Sequence, residues 1–202
     1  MSRTPTCPSR SLDANVAARR RLVPWVVIAL ILVVTAIGLR WQGRLWICAC
    51  GRVDLWAGNT KSSDNSQHLL DPYSFTHLQH GLIFYALLVW ILPRLPINWR
   101  LTLAIAVEAL WELIENSAFV IQRYREATLA LGYEGDTIVN SIGDIVCMAL
   151  GFWLARRLGG WRSAVVFAAL ELILVVWIRD SLVLNVIMLI HPIDAIKSWQ
   201  LR

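Results

Sequence analysis

Glu108, Glu112 and Glu115 recur at i, i+4 and i+7 inside an otherwise apolar stretch, so at about 100° per residue they share one stripe roughly 60° wide. Carboxylates in hydrocarbon cost several kcal/mol each when ionised and unpaired. Close like charges also raise one another's pKa. Such a stripe therefore shares protons, binds a cation, or stays protonated and hydrogen-bonded across helices for packing. Two further sets accompany it. Asp136, Asn140 and Asp144 repeat at i, i+4 and i+8, and His77 and His80 are three apart on one face. A His-x-x-His pair beside carboxylates is a donor set that suits a divalent metal, and a metal-bound water is a nucleophile. The sequence leaves metal and cofactor open. Arg123 and Arg125 are suited to holding anionic groups. If the helix runs on past Ile121, Arg123 lies about 20° from Glu112 in projection and is a counter-charge for it. The expected site has Glu112, Glu115, Asp136 and Asp144 as acid/base groups or cation ligands. His77, His80, Arg123, Arg125 and Asn140 would bind substrate. No Gly-x-Ser-x-Gly motif occurs, and no Ser or Cys stands out as a nucleophile.

The elements that carry these residues must be membrane helices. Of 202 residues 57% are hydrophobic and 16% are charged, against roughly 45–50% and 25% in soluble globular chains. Eleven Trp and a net charge of +5 add the aromatic belts and basic loops of a polytopic membrane protein. An ordinary soluble domain is excluded. The reading is a disordered basic cytoplasmic arm, residues 1–21, and one transmembrane domain, residues 22–202. The Arg19-Arg20-Arg21 run abuts an apolar stretch, so it marks the membrane surface rather than a nucleic-acid contact. Spans are expected at about 22–39, 75–92, 101–121, 137–155 and 163–178. The first also has features of a signal peptide, but its length and the spans behind it favour an uncleaved helix. An apolar stretch at 181–190 is too short to span and reads as an interfacial or half-inserted helix. The fold class is all-α, a transmembrane bundle of about five spans.

Cation density orients it. With the N-terminus cytoplasmic, the inner segments hold 10 Lys and Arg in 36 residues and the outer segments 9 in 74, as the positive-inside rule asks. His77, His80, Glu112, Glu115, Arg123, Asp136, Asn140 and Asp144 then fall in the outer half of the bilayer. Glu108 is deeper and Glu171 near the middle. A polar cavity opening outward is the economical explanation. Past the first span, Cys48 and Cys50 form a tight disulfide, a metal half-site with His68, or two free thiols; residues 59–67 read as a solvated connector.

These residues resemble a known family. Cys48-x-Cys50-Gly51, Phe75-x-His77-x-x-His80-Gly81, Trp111-Glu112-x-x-Glu115-Asn116, Gly135-Asp136-x-x-x-Asn140-Ser141 and Arg179-Asp180-x-Leu182-x-Leu184-Asn185 together look like an uncharacterised family of bacterial inner-membrane proteins, catalogued as a domain of unknown function. The likeness runs from about Trp41 to the C-terminus. It implies a multi-pass inner-membrane protein and supplies no activity. A looser similarity is to VanZ-like membrane proteins, whose pattern of His, Glu-x-x-Gln and Asp-x-x-x-Asn-x-x-Gly matches His80, Glu112-x-x-Glu115 and Asp136-x-x-x-Asn140-x-x-Gly143, with Glu115 in place of the amide. That implies the location of a site only. The leading expectation is a periplasm-facing cavity that binds or processes a lipid-phosphate or other envelope precursor. Proton- or ion-coupled transport and a noncatalytic scaffold are the rivals. The expected partners are the bilayer and a lipid or envelope-precursor ligand, with no nucleic acid.

Overall fold

A computed structural model describes residues 9–127 and 133–201, with side chains from residue 21 onward. Its elements are α1 (Ser9–Trp41), α2 (Ser74–Ile91), α3 (Ile97–Glu115), α4 (Ala118–Ala127), α5 (Ile138–Leu158), α6 (Gly160–Ile178), α7 (Leu182–Ile190) and α8 (Asp194–Gln200). Among the described residues there is no strand, only an isolated bridge between Trp56 and Leu70. The protein is an all-α bundle. Four helices are long and apolar enough to cross a membrane: α1 from Arg21, α2, α5 and α6. α3 is 19 residues long but carries Arg100 and the three glutamates. α1 begins at Ser9, inside the segment read as an arm; residues 1–8 of that arm lie outside the described residues.

Local chemistry sets the helix ends. At the start of α2, Asp71 Oδ1 accepts the backbone N–H groups of Tyr73 (2.7 Å) and Ser74 (3.3 Å), which the first helical turn leaves unpaired. α3 stops at Asn116, whose side-chain amide donates to the Glu112 carbonyl at 3.1 Å and to Asp136 Oδ2 at 2.8 Å. The helix expected to run to Ile121 therefore breaks at Asn116 and Ser117, and α4 begins at Ala118. At α5, the Thr137 hydroxyl accepts from Asn140 N, while Leu45 and Trp46 carbonyls take the N–H groups of Ile138 and Val139. Ser66 and Gln67 join the same start: Thr137 N donates to the Ser66 carbonyl and Thr137 Oγ1 to the Gln67 carbonyl. The end of the 59–67 connector, expected to be solvated, is thus built into the fold.

α2 and α5 form the closest pair and α1 packs along α3. Small residues make the first contact this close. A Cβ on Gly81 would collide with the Met148 carbonyl oxygen, and one on Gly151 with that of Leu78. The apolar core joins Ile28 of α1, Leu101, Ala104, Ile105 and Ala109 of α3, and Ile145, Met148 and Phe152 of α5. Outward-facing residues such as Leu30, Val34, Leu172 and Val176 are apolar and exposed, as lipid-facing residues would be.

α7 is held at both ends. Glu171 of α6 accepts Leu182 N at 3.1 Å and Val183 N at 3.3 Å, and the Ser181 hydroxyl accepts Leu184 N. At its other end Arg123 donates to the carbonyls of Leu189 (2.9 Å) and Ile190 (3.2 Å). Negative charge at the N-terminus and positive charge at the C-terminus complement the helix dipole.

Candidate functional site

α2, α3 and α5 bring a buried cluster of histidines and acids together. Glu108, wholly buried, sits at its base: its Oε1 lies 2.6 Å from His77 Nδ1 and its Oε2 3.0 Å from His80 Nδ1. A carboxylate only accepts, so both histidines present Nδ1–H to it and each keeps Nε2 on the far side of its ring. The i, i+3 spacing on α2 lets one acid hold both rings. His77 also lies 3.5 Å, through Nδ1, from Glu112 Oε1 and 3.8 Å, through Nε2, from Asp144 Oδ2. Asp144 is fixed from behind, because Ser74 Oγ donates to its Oδ1 at 2.8 Å while Asp71 N donates to that hydroxyl.

Toward the C-terminal end of α3 the acids are better furnished. Glu115 Oε1 accepts the Tyr124 hydroxyl at 2.9 Å. Asp136 accepts the Tyr133 hydroxyl at 2.8 Å on Oδ1 and the Asn116 amide at 2.8 Å on Oδ2, and its own N–H donates to Asn116 Oδ1 at 2.7 Å. Burial raises the pKa of Asp136 despite these bonds, and burial together with the nearby Asp136 raises that of Asp71. Both are driven toward the neutral form. Glu112 differs: it is wholly buried, and neither of its oxygens has a hydrogen-bond donor among the described residues.

Above this floor is a chamber of about 310 Å³. His77, His80, Glu115, Asp136 and Asp144 supply the histidines and carboxylates of its lining, beside neutral polar groups such as Ser66 and Asn185. Phe84 and Trp111 supply an apolar wall, and α7 another through Leu182, Val186 and Leu189. His80 stacks on Phe84 and meets Trp111 edge-on.

The remaining expected site residues stand elsewhere. Arg123 is spent on the end of α7, and Arg125 Nε donates to the Tyr133 carbonyl at 2.5 Å. Neither lines the chamber, which has no Lys or Arg among its lining residues. Because α3 breaks at Asn116, Arg123 is not placed over Glu112 as an unbroken helix would place it. Asn140 turns from the chamber to the loop, donating to the His68 carbonyl at 2.9 Å. Glu171, read as a mid-membrane acid, caps α7 and accepts from Gln79 at 2.9 Å. Cys48 and Cys50 are joined as a disulfide, with His68 alongside. Sequence reasoning passed over Tyr73, Asn116, Tyr124 and Tyr133, the groups that furnish the acids. Asn116 carried the one available signal, an amide directly after the glutamate stripe.

Comparison with known proteins places these residues in a family. The model described as "Protein of unknown function (DUF2585)" matches residues 39–202. The chain belongs to the DUF2585 family. Among its relatives, a "UPF0314 protein" of Paracoccus denitrificans (strain Pd 1222) is 47% identical over 189 residues, covering 94% of this chain and 98% of that one. A "UPF0314 protein" of Sphingopyxis alaskensis is 46% identical, covering 87% of this chain and 94% of its own. "UPF0314 protein R03235" of Rhizobium meliloti is 44% identical over 90% of this chain and 93% of its own. No solved structure matches. The DUF2585 match contains every residue of the cluster and the chamber, so the site belongs to the family's own segment of the chain.

Proposed function

We propose that this DUF2585 chain is a multi-pass protein of the bacterial inner membrane, N-terminus in the cytoplasm, whose chamber receives the polar head of an envelope lipid or lipid-linked precursor from the periplasmic leaflet. One observation carries the reading: polar groups from α2, α3, α5 and the loop at Asn65 and Ser66 converge on a single cavity that also has apolar walls. A ligand with a polar head and a hydrocarbon body needs that combination. His80, Glu112, Asp136 and Gly143, the positions that resemble the VanZ-like pattern, lie around the same cavity and the loop beneath it. Beyond Glu108 the core of α3 and α5 is apolar, which favours a one-sided chamber over a path across the membrane and speaks against proton-coupled transport.

The test is lipid capture. The chain is purified in detergent, reconstituted into nanodiscs of the source bacterium's lipids, re-extracted, and the retained lipid is identified by mass spectrometry. A bulky side chain in the α7 wall, Val186→Trp, should cut retention at least tenfold while the chain elutes normally on gel filtration. Equal retention by V186W and the parent chain overturns the reading.

A further inference from the structure

Three overlapping sets of metal-ligating side chains occur among the described residues: His77–His80–Glu108, His77–Glu112–Asp144 and Glu112–Glu115–Asp136. Hydrogen bonding decides between them. In the first, both oxygens of Glu108 are already taken by the Nδ1–H groups of His77 and His80. In the third, both oxygens of Asp136 are taken by Tyr133 and Asn116. The middle set alone has open valences on every member. His77 has Nε2 free because Nδ1 faces Glu108. Asp144 has Oδ2 turned to the chamber because Ser74 holds Oδ1. Glu112 has two wholly buried oxygens without a donor.

We propose that His77, Glu112 and Asp144 bind one divalent transition-metal ion, of the zinc or manganese type, at the floor of the chamber. One donor atom of each lies within 4.8 Å of those of the other two, and His77 Nε2 stands 3.8 Å from Asp144 Oδ2. Ligands about 2.0–2.2 Å from a tetrahedral ion stand roughly 3.3–3.6 Å apart, so small side-chain rotations close the site. One imidazole with two carboxylates suits zinc, iron(II) or manganese(II) better than the all-oxygen shells of calcium or magnesium. The supporting contacts are those that metal sites need. Glu108 orients His77 through its second nitrogen, and Ser74 holds Asp144 through its second oxygen. The ion also answers why Glu112 is buried with no hydrogen-bond donor among the described residues, which is otherwise costly.

Built on the chamber reading, this assignment names the ligand class. The chamber lining has carboxylates and no Lys or Arg, so by itself it repels an anion. A divalent ion at its floor, reached from the lumen between His77 and Asp144, turns it into a receptor for a phosphate or pyrophosphate head group. Its remaining coordination positions face the lumen, where a lipid phosphate oxygen or a water completes the shell.

Chelator-stripped chain in detergent is titrated by calorimetry with Zn²⁺ and, separately, with Mn²⁺, and thermal midpoints are recorded with and without each ion. One ion per chain is expected for at least one metal. Its Kd should weaken at least tenfold in both Glu112→Gln and His77→Gln. The ion should raise the midpoint of the parent chain and of an exposed control, Glu126→Gln, but not of E112Q. E112Q removes only a buried charge, so it is expected to elute as the parent does. If it does not fold, H77Q and Asp144→Asn carry the comparison. Absence of stoichiometric binding by the parent chain, or parent-like binding by the folded variants, overturns the site. Lipid capture by a parent chain that binds no metal would sink the metal site and leave the chamber standing. Metal binding without lipid capture would do the reverse.

Discussion

Asp180 shows what burial does to a single residue here. It follows α6, is 1% exposed, and accepts the Tyr73 hydroxyl at 3.2 Å and Ser181 N at 2.9 Å. Burial outweighs those bonds and pushes its pKa up to about 6. Between pH 4 and 6 the folded chain thus holds a proton that the unfolded chain has released, so this residue makes the fold more stable as pH falls through that window. Above pH 6 its ionisation costs the fold up to about 3 kcal/mol, at 1.36 kcal/mol per pKa unit. Asp180→Asn should raise the thermal midpoint at pH 7.5 and flatten its dependence between pH 4 and 6. A D180N melting curve with the parent's pH dependence would refute the account. Asp71 and Asp136, also raised by burial, keep some dependence in either chain. The residues that could do chemistry were legible in the sequence because charge inside an apolar run is conspicuous. Their partners were not. Nothing in spacing announces that Tyr124 of α4 donates to Glu115 of α3, or that Tyr133 donates to Asp136 within an irregular segment that has no periodicity to read.

At the scale of elements, the apolar runs gave the helices and the ends were decided by side chains. α2 starts beside the Asp71-Pro72 turn and α6 ends at Arg179, whose φ of 56° is left-handed. The largest departure from the pattern is the break at Asn116, where periodicity alone continues the helix. At the break one amide binds Asp136, 20 residues on, and no local rule contains such a contact. Its consequence is the redeployment of Arg123 to the end of α7. Arg123→Ala removes two charge-assisted bonds to carbonyls that would otherwise be unpaired, worth about 1.5–3 kcal/mol each at most. The expected result is a lowered midpoint and faster proteolysis near residues 189–193, with binding of metal at His77 unchanged because Arg123 lies outside that set. If R123A is cut no faster than the parent, the end of α7 is secured by something else. α8, seven residues, is too short for its periodicity to be read.

For the whole molecule, composition was the stronger guide: 57% hydrophobic residues demand a surface that water does not cover, and the exposed faces of α1 and α6 provide it. The proposed orientation places the loop after α2 in the cytoplasm and the Cys48–His68 loop outside. Single cysteines at Asn98 and at Asn59, in a chain with Cys7, Cys48, Cys50 and Cys147 replaced, should react with a membrane-impermeant maleimide in whole cells only at Asn59. Labelling at Asn98 alone would invert the topology and point the chamber to the cytoplasmic leaflet. The glycine contact between α2 and α5 bears on every such measurement. Because Gly81 and Gly151 let backbone meet backbone, no side-chain rotamer lies between the two helices at that contact to act as a spring. The spacing of the α2 and α5 backbones that carry His77 and Asp144 is therefore gauged by main chain, like the jaw of a fixed calliper, and only the side chains adjust. Values for ion affinity obtained in detergent should carry over to the bilayer with little change.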